Sequence, residues 1–96
     1  MQSPFGDWLP EVVVMRPLRF EAGQTAIAAI REQKTVLIDC TAMEADQAQR
    51  LLDVIAGGVY AVDGDSACLE ERVFLFTPVS VAIRRQSGDG PASARG

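Results

Sequence analysis

Three short runs, Val12-Val13-Val14-Met15, Val36-Leu37-Ile38 and Val73-Phe74-Leu75-Phe76, are apolar at every position. Runs this short, rich in β-branched and aromatic residues, read as strands. A strand alternates its side chains, so each run sends apolar groups to both faces of the sheet it joins. Between the runs lie two stretches of helical period. Residues 21–33 hold Ala26, Ile27 and Ile30 among Glu, Gln and Arg. Further on, Ala48, Leu51, Leu52, Ile55 and Val59 recur at i, i+3, i+4, i+7 and i+11. Thr41-x-x-Glu44 has the form of a capping box that would open the second helix. Gly58, in the Gly57-Gly58 pair, suits its C-terminal cap. Val59 to Val62 reads as the beginning of the next strand, and Gly64-Asp65 as a turn. Cys68-Leu69 is a short strand and Glu70-Glu71-Arg72 a turn. Pro78 ends the Val73–Phe76 strand, and Val79 to Ile83 offers one more.

The expected architecture is α/β: a two-layer sandwich, two helices packed on one face of a four- to five-stranded mixed sheet. The order is β-α-β-α-β-β, with an optional final β. A chain of 96 residues suffices for one domain. Pro4, Gly6 and Pro10 mark residues 1–10 as a linker. Residues 84–96, with three Gly, two Ser and one Pro around Arg84, Arg85 and Arg95, read as a flexible tail. The globular core then covers 11–83. Two helices cover only one sheet face, and soluble monomers rarely expose an apolar patch beyond a few hundred Å². The tail is poor in large apolar residues, and Pro at both ends of the linker forbids a long amphipathic helix there, so the expected cover is a sheet-to-sheet homodimer or a bound peptide. On the second helix, Arg50, Val54 and Gly57 lie opposite the core stripe. A glycine pair there permits close approach by another chain.

The chain has no His. That removes Ser-His and Cys-His nucleophile pairs and His-ligated zinc. Cys40 and Cys68 are too far apart for a Cys-x-x-Cys site and fit free thiols in a reducing cytoplasm. Cys40, without an activating base, reads as a small buried residue. Asp63-Gly64-Asp65 lacks the other ligands of a calcium loop. Gly57-Gly58 lacks the Gly-Lys-Ser/Thr of a phosphate loop. A net charge of −4 leaves no basic footprint for nucleic acid. Arg16 and Arg19, flanking Pro17, read as surface groups. No apolar run approaches the ~20 residues of a membrane span. These residues describe a non-enzymatic interaction domain, with no catalytic residue, metal or cofactor assigned.

Several segments together carry a family likeness. They are Val14-Met15-Arg16-Pro17, the strand Thr35 to Asp39, Gln47-Ala48-Gln49-Arg50-Leu51-Leu52-Asp53, Gly57-Gly58-Val59-Tyr60-Ala61, Gly64-Asp65 and Val73-Phe74-Leu75-Phe76-Thr77-Pro78. In this order, over about residues 12–83, the chain resembles the SepF family of bacterial cell-division proteins. The resemblance implies a cytosolic adaptor that self-associates and binds the C-terminal tail of the tubulin-like protein FtsZ. It would help to tether and organise the division ring at the inner membrane face. By position, the resemblance assigns Phe74 to tail binding, with Leu69 and Cys68 beside it. It assigns Gly57 to self-association, with Gly58, Val54 and Arg50 around it. Family members are anchored by an N-terminal amphipathic helix. Residues 1–10 do not form one, so membrane attachment is expected only through a segment absent from this chain. Cys68 stands where many members carry Lys or Arg, and Ser66 where an apolar residue is usual. The alternative is a regulatory domain of the anti-sigma-antagonist type, which the strand Val36–Asp39 and its following helix suit. No Asp-Ser pair opens that helix.

Overall fold

The stiff, β-branched side chains of Val12, Val13 and Val14 favour the first strand, β1 (Val12–Met15), and Pro17 stops it. There follow α1 (Ala22–Arg31), β2 (Thr35–Asp39), α2 (Ala45–Ala61), β3 (Asp65–Glu70) and β4 (Val73–Thr77). The computed structural model describes residues 9–87 and 90–91, so Phe5 and Trp8 of the expected linker lie outside the described residues. The strands form one sheet in the order β1-β2-β4-β3. β1 and β2 are parallel; β2 with β4, and β4 with β3, are antiparallel. α2 thus carries the chain from β2 to β3, two positions away, and β4 returns to fill the gap. Ile30 of α1 and Leu51, Ile55 and Val59 of α2 join Val36, Ile38 and Phe76 in one fully buried cluster. Both helices therefore pack on one face of a mixed four-stranded sheet, as expected.

Cys40 is fully buried at the end of β2. Burial, and then the neighbouring Asp39 carboxylate, push its thiol above the usual range. A raised pKa keeps the sulfur protonated and inert.

Four local expectations are corrected. Thr41 does not cap α2: the helix starts after Glu44, with no side-chain cap. A turn intervenes, closed by Met43 N–H donating to Cys40 O at 3.0 Å. Thr41 instead turns back on the strand, its hydroxyl donating to Asp39 Oδ1 at 2.6 Å and its amide to the same oxygen at 3.0 Å. These two bonds, with a smaller contribution from Arg16 at 3.5 Å, hold the Asp39 carboxyl below its usual range. Second, Gly58 is not a C-cap, and third, Val59 to Val62 does not begin a strand. α2 runs through both glycines to Ala61. Its exit is made by Asp63 at φ 63°, and Gly64 N–H donates to Val59 O at 2.9 Å. Aspartate tolerates the left-handed region better than most residues with a Cβ.

Fourth, Val79 to Ile83 adds no strand to the sheet. Pro78 is followed by a turn, with Val81 N–H donating to Pro78 O at 3.0 Å, and Val79 and Val81 stay exposed. In the segment read as a tail, β5 (Gln86–Ser87) pairs antiparallel with β6 (Gly90–Pro91).

Candidate functional site

The sheet register decides what each face presents. Val14 lies opposite Leu37, Leu37 opposite Leu75, and Leu75 opposite Ala67. Residues directly opposite share a face, so one apolar row crosses all four strands. It lies on the side away from the helices, since Val13 and Met15 pack on the core while Val12 and Val14 are 64% and 62% exposed. Polar groups stand in the rows that flank it, Thr35 and Asp65 on one side and Asp39 and Glu70 on the other, beside apolar Val12 and Val73 and the fully buried Thr77. Arg16 reaches Asp39 at that rim. An apolar centre with a polar rim is the anatomy of a protein–protein contact. Among the described residues no second layer covers it.

The helix layer presents another surface. Arg50, Val54 and Gly57 come to one exposed face of α2, and a Cβ at Gly57 would meet nothing within 4 Å. Phe20, just ahead of α1, joins Gln47, Arg50, Asp53 and Val54 around a shallow depression. Sequence reasoning missed Phe20, because nothing local links it to α2. Gly58 belongs elsewhere. A Cβ there would sit 2.7 Å from Ile27 Cδ1 and 2.9 Å from Ile27 Cγ1. The close approach it permits is that of α1, not of another chain. Adjacent glycines thus carry opposite expectations. Gly57→Ala should stabilise the monomer by about 0.5–1 kcal/mol, the ordinary gain from removing a mid-helix glycine. Gly58→Ala should destabilise it by about 1–3 kcal/mol through overpacking against Ile27. Urea unfolding of both variants checks the signs.

The third group is Phe74, Cys68 and Leu69. Phe74, which the resemblance assigns to tail binding, does not lie on the uncovered face. It lies opposite Ile38, and Phe76 opposite Val36, so Phe74 shares the helix-covered face. Val73 and Leu75 point the other way. Phe74 is half-buried at the margin of the core and stacks on Phe76, with centroids 5.9 Å apart. Cys68 lies opposite Phe74, is exposed, and donates its thiol to Glu70 O at 3.1 Å. Leu69 sits where the β3–β4 register shifts, and is 51% exposed. The structure adds two residues on the Phe74 side. Tyr60 of α2 and Ser66 of β3 share a hydrogen bond of 2.5 Å between their hydroxyls. The hydroxyl of Ser66 thus has a partner in α2 that an apolar residue there would lack. Among the described residues no group of three or more metal-ligating side chains gathers, and no helix is long and apolar enough to cross a membrane.

The described residues form a two-layer α/β domain, two helices on one face of a four-stranded mixed sheet whose other face carries an apolar row. Comparison with known proteins gives the family. The model of the family described as cell division protein SepF matches residues 12–83. The SepF of Synechococcus elongatus is 49% identical over 79 residues, and that of Trichodesmium erythraeum 48% over 80. These matches cover 82% and 83% of this chain but 41% and 38% of the relatives, so the chain spans about two fifths of their length. A SepF-like protein from Archaeoglobus fulgidus shares the fold, with a TM-score of 0.74 at 18% identity, over 83% of this chain and 99% of that one. This chain belongs to the SepF family of cell-division proteins.

Proposed function

We propose that the domain is a non-enzymatic adaptor of cell division, self-associating and binding the C-terminal tail of FtsZ. In this reading it acts in the cytoplasm, recruited to the division site at the inner membrane face. Membrane attachment runs through a segment outside the described residues. The observation that carries the reading is the apolar row Val14–Leu37–Leu75–Ala67 with its polar rim. It supports docking of a second copy, and the absence of His leaves no familiar nucleophile pair to support turnover. Phe74 is the tail-binding residue by family position, and Cys68 and Leu69 join it as neighbours on the short strand. The pairing of exposed Cys68 opposite half-buried Phe74 on β4 supports a peptide contact at that margin. Family membership leaves the anti-sigma-antagonist reading without support.

Calorimetric titration of the FtsZ C-terminal peptide into wild type and Phe74→Ala tests the partner. Because Phe74 packs partly on the core, its loss should lower stability by about 2 kcal/mol, below the 3–5 kcal/mol of a fully buried Phe. Peptide binding should weaken by about 2 kcal/mol or more, as for an aromatic anchor. Full affinity in a still-folded Phe74→Ala protein removes Phe74 from the site. No binding by wild type ends the FtsZ reading and leaves the self-association module.

A further inference from the structure

β3 is an edge strand: its one neighbour is β4. An exposed edge offers unpaired N–H and C=O groups to any extended segment. At Ser66 these groups are occupied. Its N–H donates to Asp65 Oδ1 at 2.7 Å, and its C=O accepts from Arg85 Nη2 at 2.5 Å. The same Arg85 nitrogen lies 3.6 Å from Asp65 Oδ1. Backbone groups alternate along a strand, so Cys68 presents its own pair outward in the same direction. Arg85 stands 19 residues along the chain from Ser66 and comes back to it after the Pro78 turn. The acidic groups of this edge, Asp65 and Glu70, have like-charged Glu71 beside them, and the arm brings a cation to them.

We propose that the arm around Arg85 is an autoinhibitory latch, holding the β3 edge in place of an extended partner segment. The proposal rests on the partner reading above, since Cys68 and Leu69 lie on this strand. A segment adding to β3 would pair with the backbone of Cys68, and to continue past it would need the Ser66 carbonyl that Arg85 holds. The latch is weak enough to yield. Arg85 and Asp65 are 45% and 49% exposed at the side chain, and exposed ion pairs change affinities by only a few fold.

The test titrates the FtsZ C-terminal peptide into wild type, Arg85→Ala and Arg84→Ala, with amide hydrogen exchange read at Cys68. Arg85→Ala should bind about two- to fivefold tighter, and the bound peptide should slow exchange at Cys68. Arg84→Ala removes the same charge from an exposed neighbour and should match wild type. Equal affinity for wild type and Arg85→Ala, or binding without protection at Cys68, overturns the latch while the partner reading stands. If no chain binds the peptide, the partner reading falls, and the latch is judged by a second probe. A synthetic peptide of residues 82–87 at millimolar concentration should shift the Ala67 amide resonance of Arg85→Ala, because that amide belongs to the peptide unit of the Ser66 carbonyl. It should not shift that of wild type. No shift in either, or the same shift in both, overturns the latch.

Discussion

Gly64→Ala should lower the unfolding free energy by about 3 kcal/mol, the upper end of what overpacking costs. A Cβ at this position would lie 2.4 Å from Thr77 O, 2.6 Å from Val59 Cγ1 and 3.1 Å from Val59 O. Two of these are backbone oxygens, one from β4 and one from α2, and neither can rotate away. Relief requires parting the end of α2 from β4. That opens the core where Val59 and Phe76 have no accessible surface. It also strains the bond from Gly64 N–H to Val59 O that closes the helix exit. In a domain of this size each kcal/mol moves the melting temperature by roughly 4–8 °C. Thermal melting should therefore fall by about 12–24 °C. A variant that melts within a degree or two of wild type would show that the helix exit can flex.

Val14→Glu should abolish sheet-face pairing while leaving the fold intact. Val14 is already 62% exposed in the monomer, so the carboxylate there stays hydrated. In a face-to-face dimer it would be buried against the apolar row of the second copy. An unpaired charge so placed costs about 3–5 kcal/mol, which raises the dissociation constant by two to three orders of magnitude or more. Sedimentation velocity at micromolar concentration should show wild type as a dimer or larger and Val14→Glu as a monomer. Gly57→Lys separates the two surfaces, because its long cation obstructs only the helix layer. Should Gly57→Lys dissociate the protein while Val14→Glu sediments as wild type does, the helix layer carries the pairing instead.

The elements were legible because their signals are periodic and local. The stripe Ala48–Leu51–Leu52–Ile55–Val59 faces the core as its spacing requires. The excess of apolar side chains over helices to cover them foretold an unlayered sheet face. The phase of β4 was not legible. A run apolar at every position has no alternation to read, so only the partner strand decides which residues face the helices. Register with Val36 and Ile38 gave that role to Phe76 and Phe74. Glycine was ambiguous for a different reason. The same missing Cβ suits a helix end, a tight crossing or an open surface, and neighbours in the sequence took different parts. Thr41 satisfied its hydroxyl two residues back because a turn separates it from α2. The contacts of Phe20 with the α2 surface, and of Arg85 with Ser66, join distant residues and leave no local trace.

The strand order has a consequence for the growing chain. β4 is the last long strand in sequence but fills an inner position, between β2 and β3. A chain synthesised only as far as Arg72 holds β1 and β2 as one ladder and β3 with no partner. Its helices have an incomplete floor, lacking Phe76. Contacts between distant segments must close before they reward the chain with stability. Emergence of Val73–Thr77 from the ribosome is thus the step at which two separate pieces become one sheet.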